Sequence, residues 1–103
     1  MTGDRKKIYI CSPLSGNIEE NIEKAKEHCR DVSLKGFLPI ASHIYFTQFL
    51  DDNNSEERDI GMEMGLELLK LCDEVWVFGD KISEGMKKEI QFAKKLNIEI
   101  KYN

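Results

Sequence analysis

The apolar positions of this chain alternate between short continuous runs and helical stripes. Ile8-Tyr9-Ile10-Cys11 is a β-prone run, and Ser12-Pro13-Leu14-Ser15-Gly16-Asn17 breaks it. Ile18, Ile22, Ala25, Cys29 and Val32 then recur at helical spacing, so a first helix is predicted to about Lys35, with Gly36 ending it. Asn17 suits the N-cap, and Glu20 stands at the capping-box spacing behind it. Phe37 to Ile40 reads as a second strand, with Pro39 arguing for an edge or irregular position because proline cannot donate to a ladder. Ala41 to Phe46 reads either as an extension of that strand or as a loop carrying polar groups at the sheet's rim. Asp51 to Glu57, the most polar segment, reads as a loop over the same rim.

A second helix is predicted from Ser55 or Glu56 to Leu71. Ile60, Met64, Leu68 and Leu71 form its stripe, Met62, Leu66 and Leu69 widen it, and Gly61 and Gly65 sit beside it. Such width implies burial on more than one side, so a homo-oligomer is expected. Glu74 to Phe78 reads as the third strand, Ser83 to Leu96 as the third helix, Asn97 as a turn and Ile98 to Lys101 as the last strand. Strands joined through helices favour a parallel sheet. The expected fold is therefore α/β: a three-layer, flavodoxin-like open parallel sheet of about four strands, with residues 1–103 as a single domain. In that strand order the carboxyl ends of the first and third strands flank a crevice, the usual ligand position of open α/β sheets.

Composition removes several function classes. Fifteen basic against nineteen acidic residues give a formal charge of −4, which argues against a long nucleic acid as partner. Cys11, Cys29 and Cys72 are odd in number and show no CxxC spacing, so free thiols of a cytoplasmic protein are expected. No secretory signal and no run of membrane-spanning length stands out, so no membrane partner is expected. The only histidines are His28 and His43, and Asp51-Asp52-Asn53-Asn54 lacks the calcium-loop glycine and distal glutamate, so neither metal nor cofactor is expected.

The candidate chemistry gathers where strands end. Glu89 lies among Met86, Ile90, Ala93 and Leu96, the inward positions of the third helix. A carboxylate there is costly unless it is paired, hydrogen-bonded or facing a cavity; the alternative is a place at the stripe's edge with access to water. Ser83 with the free N–H groups of Glu84 and Gly85 suits a phosphate or carboxylate, or Ser83 serves only as an N-cap. Asp80 leaves the third strand and either joins the chemistry or bonds its own turn. Ser12, Pro13 and Gly16 follow the first strand, and His43 follows the second as a ligand contact or a surface histidine. Tyr9 and Trp76 read as core or interface aromatics. A carboxylate in such a pocket suits N-glycosidic cleavage, whose sugar centre becomes cation-like and is stabilised or trapped by an anion.

With these residues in view, the chain resembles the nucleoside 2-deoxyribosyltransferase superfamily, which includes nucleoside 5′-monophosphate N-glycosidases and small uncharacterised phage and bacterial domains. The resemblance runs from Ile8 to Tyr102: the opening from Ile8 to Gly16, the strand from Cys72 to Phe78, and above all Ser83-x-Gly85-x-x-x-Glu89-x-x-x-Ala93. It implies that Glu89 is the nucleophile, that Ser83 helps hold a 5′-phosphate, and that a neighbouring subunit contributes to a shared site. The resemblance also locates a departure. Catalytic relatives carry a second carboxylate where this chain has Gly65, and Glu63, Glu67 or Asp59 would replace it only from a shifted or rotated helix. The expected function is hydrolysis or transfer at the N-glycosidic bond of a nucleotide or nucleoside. A non-catalytic binder of nucleotides or nucleotide-like signals is the first alternative, and a structural or protein-interaction module the second.

Overall fold

A computed structural model describes residues 4–103. In chain order the elements are β1 (Lys7–Cys11), α1 (Ile18–Leu34), β2 (Leu38–Ile40), α2 (Ser42–Phe46), α3 (Ser55–Leu69), β3 (Glu74–Val77), α4 (Glu84–Lys95) and β4 (Glu99–Tyr102). The strands form one parallel sheet in the order β2-β1-β3-β4. This is the flavodoxin-like arrangement expected from the sequence, with the reversal of strand order between β1 and β3.

The two central strands are covered on both faces, which explains their continuous apolar runs. Tyr9 and Cys11 of β1 and Val75 and Val77 of β3 pack with Leu69 of α3 and with Met86, Ile90 and Ala93 of α4. Ile8, Ile10 and Trp76 point the other way, onto Val32 of α1. Two edge strands complete the sheet. Pro39 pairs opposite Ile8 on β2, where the missing N–H faces no further strand.

Local chemistry fixes the ends of the helices. The Asn17 side chain caps α1 by accepting from the Glu20 backbone N–H, while its amide, rather than its backbone N–H as in a capping box, donates to the Glu20 carboxylate. Asn54 caps α3 by accepting from the N–H groups of Glu56 and Glu57. Ser83 caps α4 by accepting from the Met86 N–H at 3.2 Å. Asn97, at φ 59°, makes the left-handed turn into β4.

Four expectations are corrected. Residues 41–46 are neither strand nor plain loop: Ser42–Phe46 forms the short helix α2. Five residues are too few for a helical period to emerge, and Ala41 offers no side-chain cap. The stripe proposed for α3 is out of phase, since Ile60 and Leu71 are 47% and 68% exposed while Gly65 and Leu69 are buried. Apolar residues occur around most of that helix, so sequence periodicity did not select its inward side. Helix α3 also stops at Leu69, and β4 is displaced one residue along. Among the described residues, no helix is long and apolar enough to cross a membrane.

Candidate active site

A cavity of about 290 Å³ opens at the carboxyl end of the sheet. Its walls come from the turn after β1, from α2, from the segment leading into α3, from α3 itself, and from the start of α4. The polar segment expected as a loop over this rim is a loop only to Asn54, since α3 begins at Ser55; Leu50 and Asp52 line the cavity from the loop and Glu57 from the helix.

Glu89 stands in the wall. Met86, Ile90 and Ala93 anchor α4 to the sheet, and Glu89 lies on the same helix, within reach of the β1 side chains. The Tyr9 hydroxyl donates to Glu89 Oε2 at 2.5 Å. Ser42 Oγ lies 2.7 Å from the same Tyr9 oxygen. Tyr9 has one proton, and it is directed at the carboxylate, so Ser42 is the donor to Tyr9 whenever Glu89 is ionised. A relay of hydroxyls from α2 through β1 therefore ends on Glu89.

Among the described residues, no cation pairs with this carboxylate. Burial raises the Glu89 pKa to about 7, and the Tyr9 hydrogen bond, with the nearby Cys11 thiol, only partly opposes it. Near neutrality the carboxyl thus divides between its charged and neutral forms. Burial likewise raises Tyr9 and Cys11, with the Glu89 charge adding to both, so they remain protonated. Cys11 is accordingly an inert thiol beside the carboxylate.

The opposite wall is built on Ser12 and His43. Ser12 Oγ lies 3.1 Å from His43 Nε2. His43 is lowered to about 4, mainly by burial with a smaller contribution from His28, so its imidazole is neutral at physiological pH. His43 is a half-buried neutral ring at the cavity wall, where a ligand contact is open to it.

Of the other candidates, Ser83 and Gly85 line the cavity. The Ser83 oxygen is engaged as the cap of α4, leaving its proton for a ligand. The approach over Gly85 is already taken: a Cβ there would lie 3.2 Å from the Met62 methyl. Pro13, Gly16 and Asp80 are not in the lining. Pro13 instead packs against Gly79, whose φ of +112° makes the turn after β3, so that the two turns at the strand-order reversal brace each other. Asp80 is exposed in that turn.

Sequence reasoning missed Tyr9 and Ser42 as polar members of the site. Tyr9 carried a usable signal, because a tyrosine inside a fully buried strand needs a partner for its hydroxyl. Ser42 carried none, because the helix that directs it inward was itself unforeseen. Gly65 now has a local reason. A Cβ at this position would lie 3.1 Å from Ser42 Oγ and 3.3 Å from Tyr9 Oη. The hydroxyl pair occupies the space that a side chain on α3 would need. Of Asp59, Glu63 and Glu67, only Asp59 lines the cavity. Among the described residues no group of three or more His, Cys, Asp or Glu side chains is placed to hold a metal ion.

Residues 6–103 match the family described as Domain of unknown function (DUF7768). The chain belongs to this family. No curated protein matches the DUF7768 chain. Among solved structures, it is similar to a 2-deoxyribosyltransferase from the psychrotolerant bacterium Bacillus psychrosaccharolyticus. The TM-score is 0.66 at 21% identity, over 93% of this chain and 70% of the other. At that identity the likeness establishes the DUF7768 fold as that of the transferase, and the chemistry has to be argued from the site.

Proposed function

We propose that the chain is a nucleoside deoxyribosyltransferase-like domain that breaks or exchanges an N-glycosidic bond of a nucleoside or nucleotide. The observation that carries this reading is Glu89, half-buried at the cavity wall and held by the Tyr9 hydroxyl at 2.5 Å. A cation-like sugar carbon needs an anion close by, and a carboxylate without a bound counter-ion is free to serve it. In this reading the ionised Glu89 attacks or stabilises the anomeric carbon while Tyr9 fixes its orientation. The glycosidic electron pair departs with the base. Water, or a second base in a transfer, then takes the sugar and regenerates the carboxylate. Ser12 and His43 bound the sugar side, and Ser83 offers a hydroxyl to a ligand at the start of α4. Similarity to a fold whose named example is a 2-deoxyribosyltransferase supports the substrate class.

The test is release of free base from a broad nucleoside and nucleotide panel, with Glu89→Gln alongside. Activity in the wild type and its loss in the variant support the reading; an inactive wild type beside an active control hydrolase refutes it.

One observation favours a second reading. The closure of the Gly65 position by Ser42 and Tyr9 leaves α3 without a carboxylate at the buried end of the cavity, which suits retention of a nucleotide without turnover. Mass spectrometry of ligand eluted from the purified protein separates the two: intact ligand favours the binder, and free base with sugar favours the enzyme. Either reading extends to a homo-oligomer whose neighbour completes the site. Light scattering at micromolar concentration checks it.

A further inference from the structure

Releasing a sugar from Glu89 needs a base. Water, or the N–H of an incoming nucleobase, has to lose a proton as it attacks the anomeric carbon, and a positioned side chain takes that proton. Glu89 is the leaving group of this step and cannot also serve as its base. At Gly65 there is no side chain, and the Ser42 and Tyr9 hydroxyls fill the space. The base has to come from another part of the wall.

The turn before α3 offers a residue whose place has no structural cause. Residues 51–54 form a turn closed by the Asn54 N–H, which donates to the Asp51 carbonyl at 3.0 Å. Asp51 Oδ1 accepts from the Asn53 N–H at 2.9 Å, and Glu57 reaches back from α3 to accept from the Asp51 N–H at 2.9 Å. Asn54 caps α3, and Leu50 lies against Gly61 of the same helix. Asp52 takes no part in this bracing. Among the described residues no hydrogen bond or ion pair engages its carboxylate, yet it is half-buried where Asp51 and Asn53 are exposed. It lines the same cavity as Glu89, from a different element. Withdrawing a carboxylate from water without a partner costs free energy, and the braced backbone holds this one at a fixed place on the wall.

The competing groups are committed or ill suited. Glu57 holds the turn through Oε1. Asp59 and Glu84 are exposed, and Glu84 pairs with Lys87 at 3.2 Å. His43 Nε2 lies 3.1 Å from Ser12 Oγ, and burial opposes the positive charge that taking a proton would create there. Asp52 has the reverse balance. Burial favours its neutral form, Arg58 opposes that, and Asp51 adds to it. Taking a proton removes a charge at Asp52 instead of creating one.

Resting on the glycosidic reading above, we propose that Asp52 is a catalytic residue, the general base that deprotonates the water or nucleobase that releases the sugar from Glu89. The attacking oxygen or nitrogen forms a bond to the anomeric carbon as the ester bond to Glu89 breaks. The bonding pair returns to the Glu89 carboxylate. The proton passes to Asp52 and from there to solvent.

The experiment uses N7-methyl-2′-deoxyguanosine and N7-methylguanosine as probes, each as the nucleoside and as the 5′-monophosphate. Their bases depart without needing a proton, so release of the sugar from Glu89 is isolated as the slow step. Wild type is expected to turn over repeatedly. Asp52→Asn should release about one equivalent of base per site and then continue about 10²-fold or more slower, the usual worth of a general base. The intact mass of this variant should rise by one sugar, mapped to Glu89, and adding Glu89→Gln should remove the adduct. Azide attacks carbon without losing a proton, so it should restore turnover of Asp52→Asn and yield the glycosyl azide. Asp51→Asn alters the charge of the same turn while keeping an acceptor for the Asn53 N–H, and should behave as wild type. An Asp52→Asn protein that turns over at the wild-type rate overturns the assignment and leaves the glycosidic reading standing. So does one that is slowed with neither adduct nor azide rescue. No base release by wild type from any of these probes overturns both.

Discussion

Glu74, buried, and Glu89, half-buried at the cavity wall, lie on opposite faces of the same sheet, and their surroundings treat them in opposite ways. Glu74, 5% exposed on β3, accepts from the Trp76 indole N–H at 2.8 Å and pairs with Lys6 at 3.3 Å and Lys101 at 3.2 Å. The Trp76 hydrogen bond, with help from Lys101 and Lys6, outweighs burial and holds its pKa below the ordinary carboxylate value. Lys35 and Lys101 both lie over the Trp76 ring, so this half of the α1 face is closed by charged side chains rather than by another helix. Glu89 has hydroxyl and thiol neighbours and, among the described residues, no ion-pair partner, and its pKa rises to about 7. A carboxylate surrounded by cations has its charge spoken for. One held by hydroxyls beside a cavity keeps its charge available for a ligand.

The largest expected consequence of that difference is on turnover. Glu89→Gln should lower base release at least ~10³-fold, as removal of a nucleophile does. Glu74→Ala should leave the rate per folded molecule unchanged. Rates normalised to folded protein check both. Equal losses in the two variants would erase the distinction.

The next effect is on stability against pH. Glu89 has a raised folded-state pKa, so its contribution is fully present below about 4.5 and is lost as pH rises through about 7. Glu89→Gln should therefore be more stable than wild type at pH ~8, by something on the order of 2–3 kcal/mol, with the gap closing toward pH ~4. His43 works in the opposite sense. Its lowered pKa gives stability that is present above about 6.5 and lost as pH falls through about 4. In wild type the Glu89 and histidine slopes oppose each other between those limits, and Glu89→Gln should expose the histidine slope, to which the burial-lowered His28 adds in the same sense as His43. Urea unfolding across this range measures it.

Glu74→Ala should destabilise by about 1–3 kcal/mol, chiefly by leaving the buried Trp76 N–H without a partner. The lysines contribute less, because both are half exposed and return to water. The smallest effect belongs to Tyr9→Phe. It should lower turnover roughly 10-fold and move the rising limb of the pH–rate profile to higher pH, because the carboxylate loses a donor that favours its charged form. A purely structural Tyr9 would leave that limb in place.

Much of the fold was legible. Asn17 with Glu20, Ser83, Gly36 and Asn97 mark element ends through side-chain caps and left-handed turns, which are local effects. Pro39 marked an edge strand for an equally local reason. The phase of α3 was not legible, because its apolar residues leave no single stripe, and what selects Gly65 is close packing against Tyr9 and Ser42. Glu89 announced itself as a carboxylate in an apolar stripe. Its partner Tyr9 looked like core and is core, with only its hydroxyl in the site. The Asp80 side chain could be placed near the third strand's end, but which way the turn at Gly79 would carry it depends on Pro13 from another loop.

The central claim is that Glu89 stands half-buried in the cavity wall with no counter-ion among the described residues. Carbon-detected NMR titration of the side-chain carboxyls, in wild type and in Glu89→Gln, tests it most directly. The account predicts one glutamate titrating near 7 that vanishes in the variant. A Glu89 carboxyl titrating at the ordinary value of about 4.3 would contradict it.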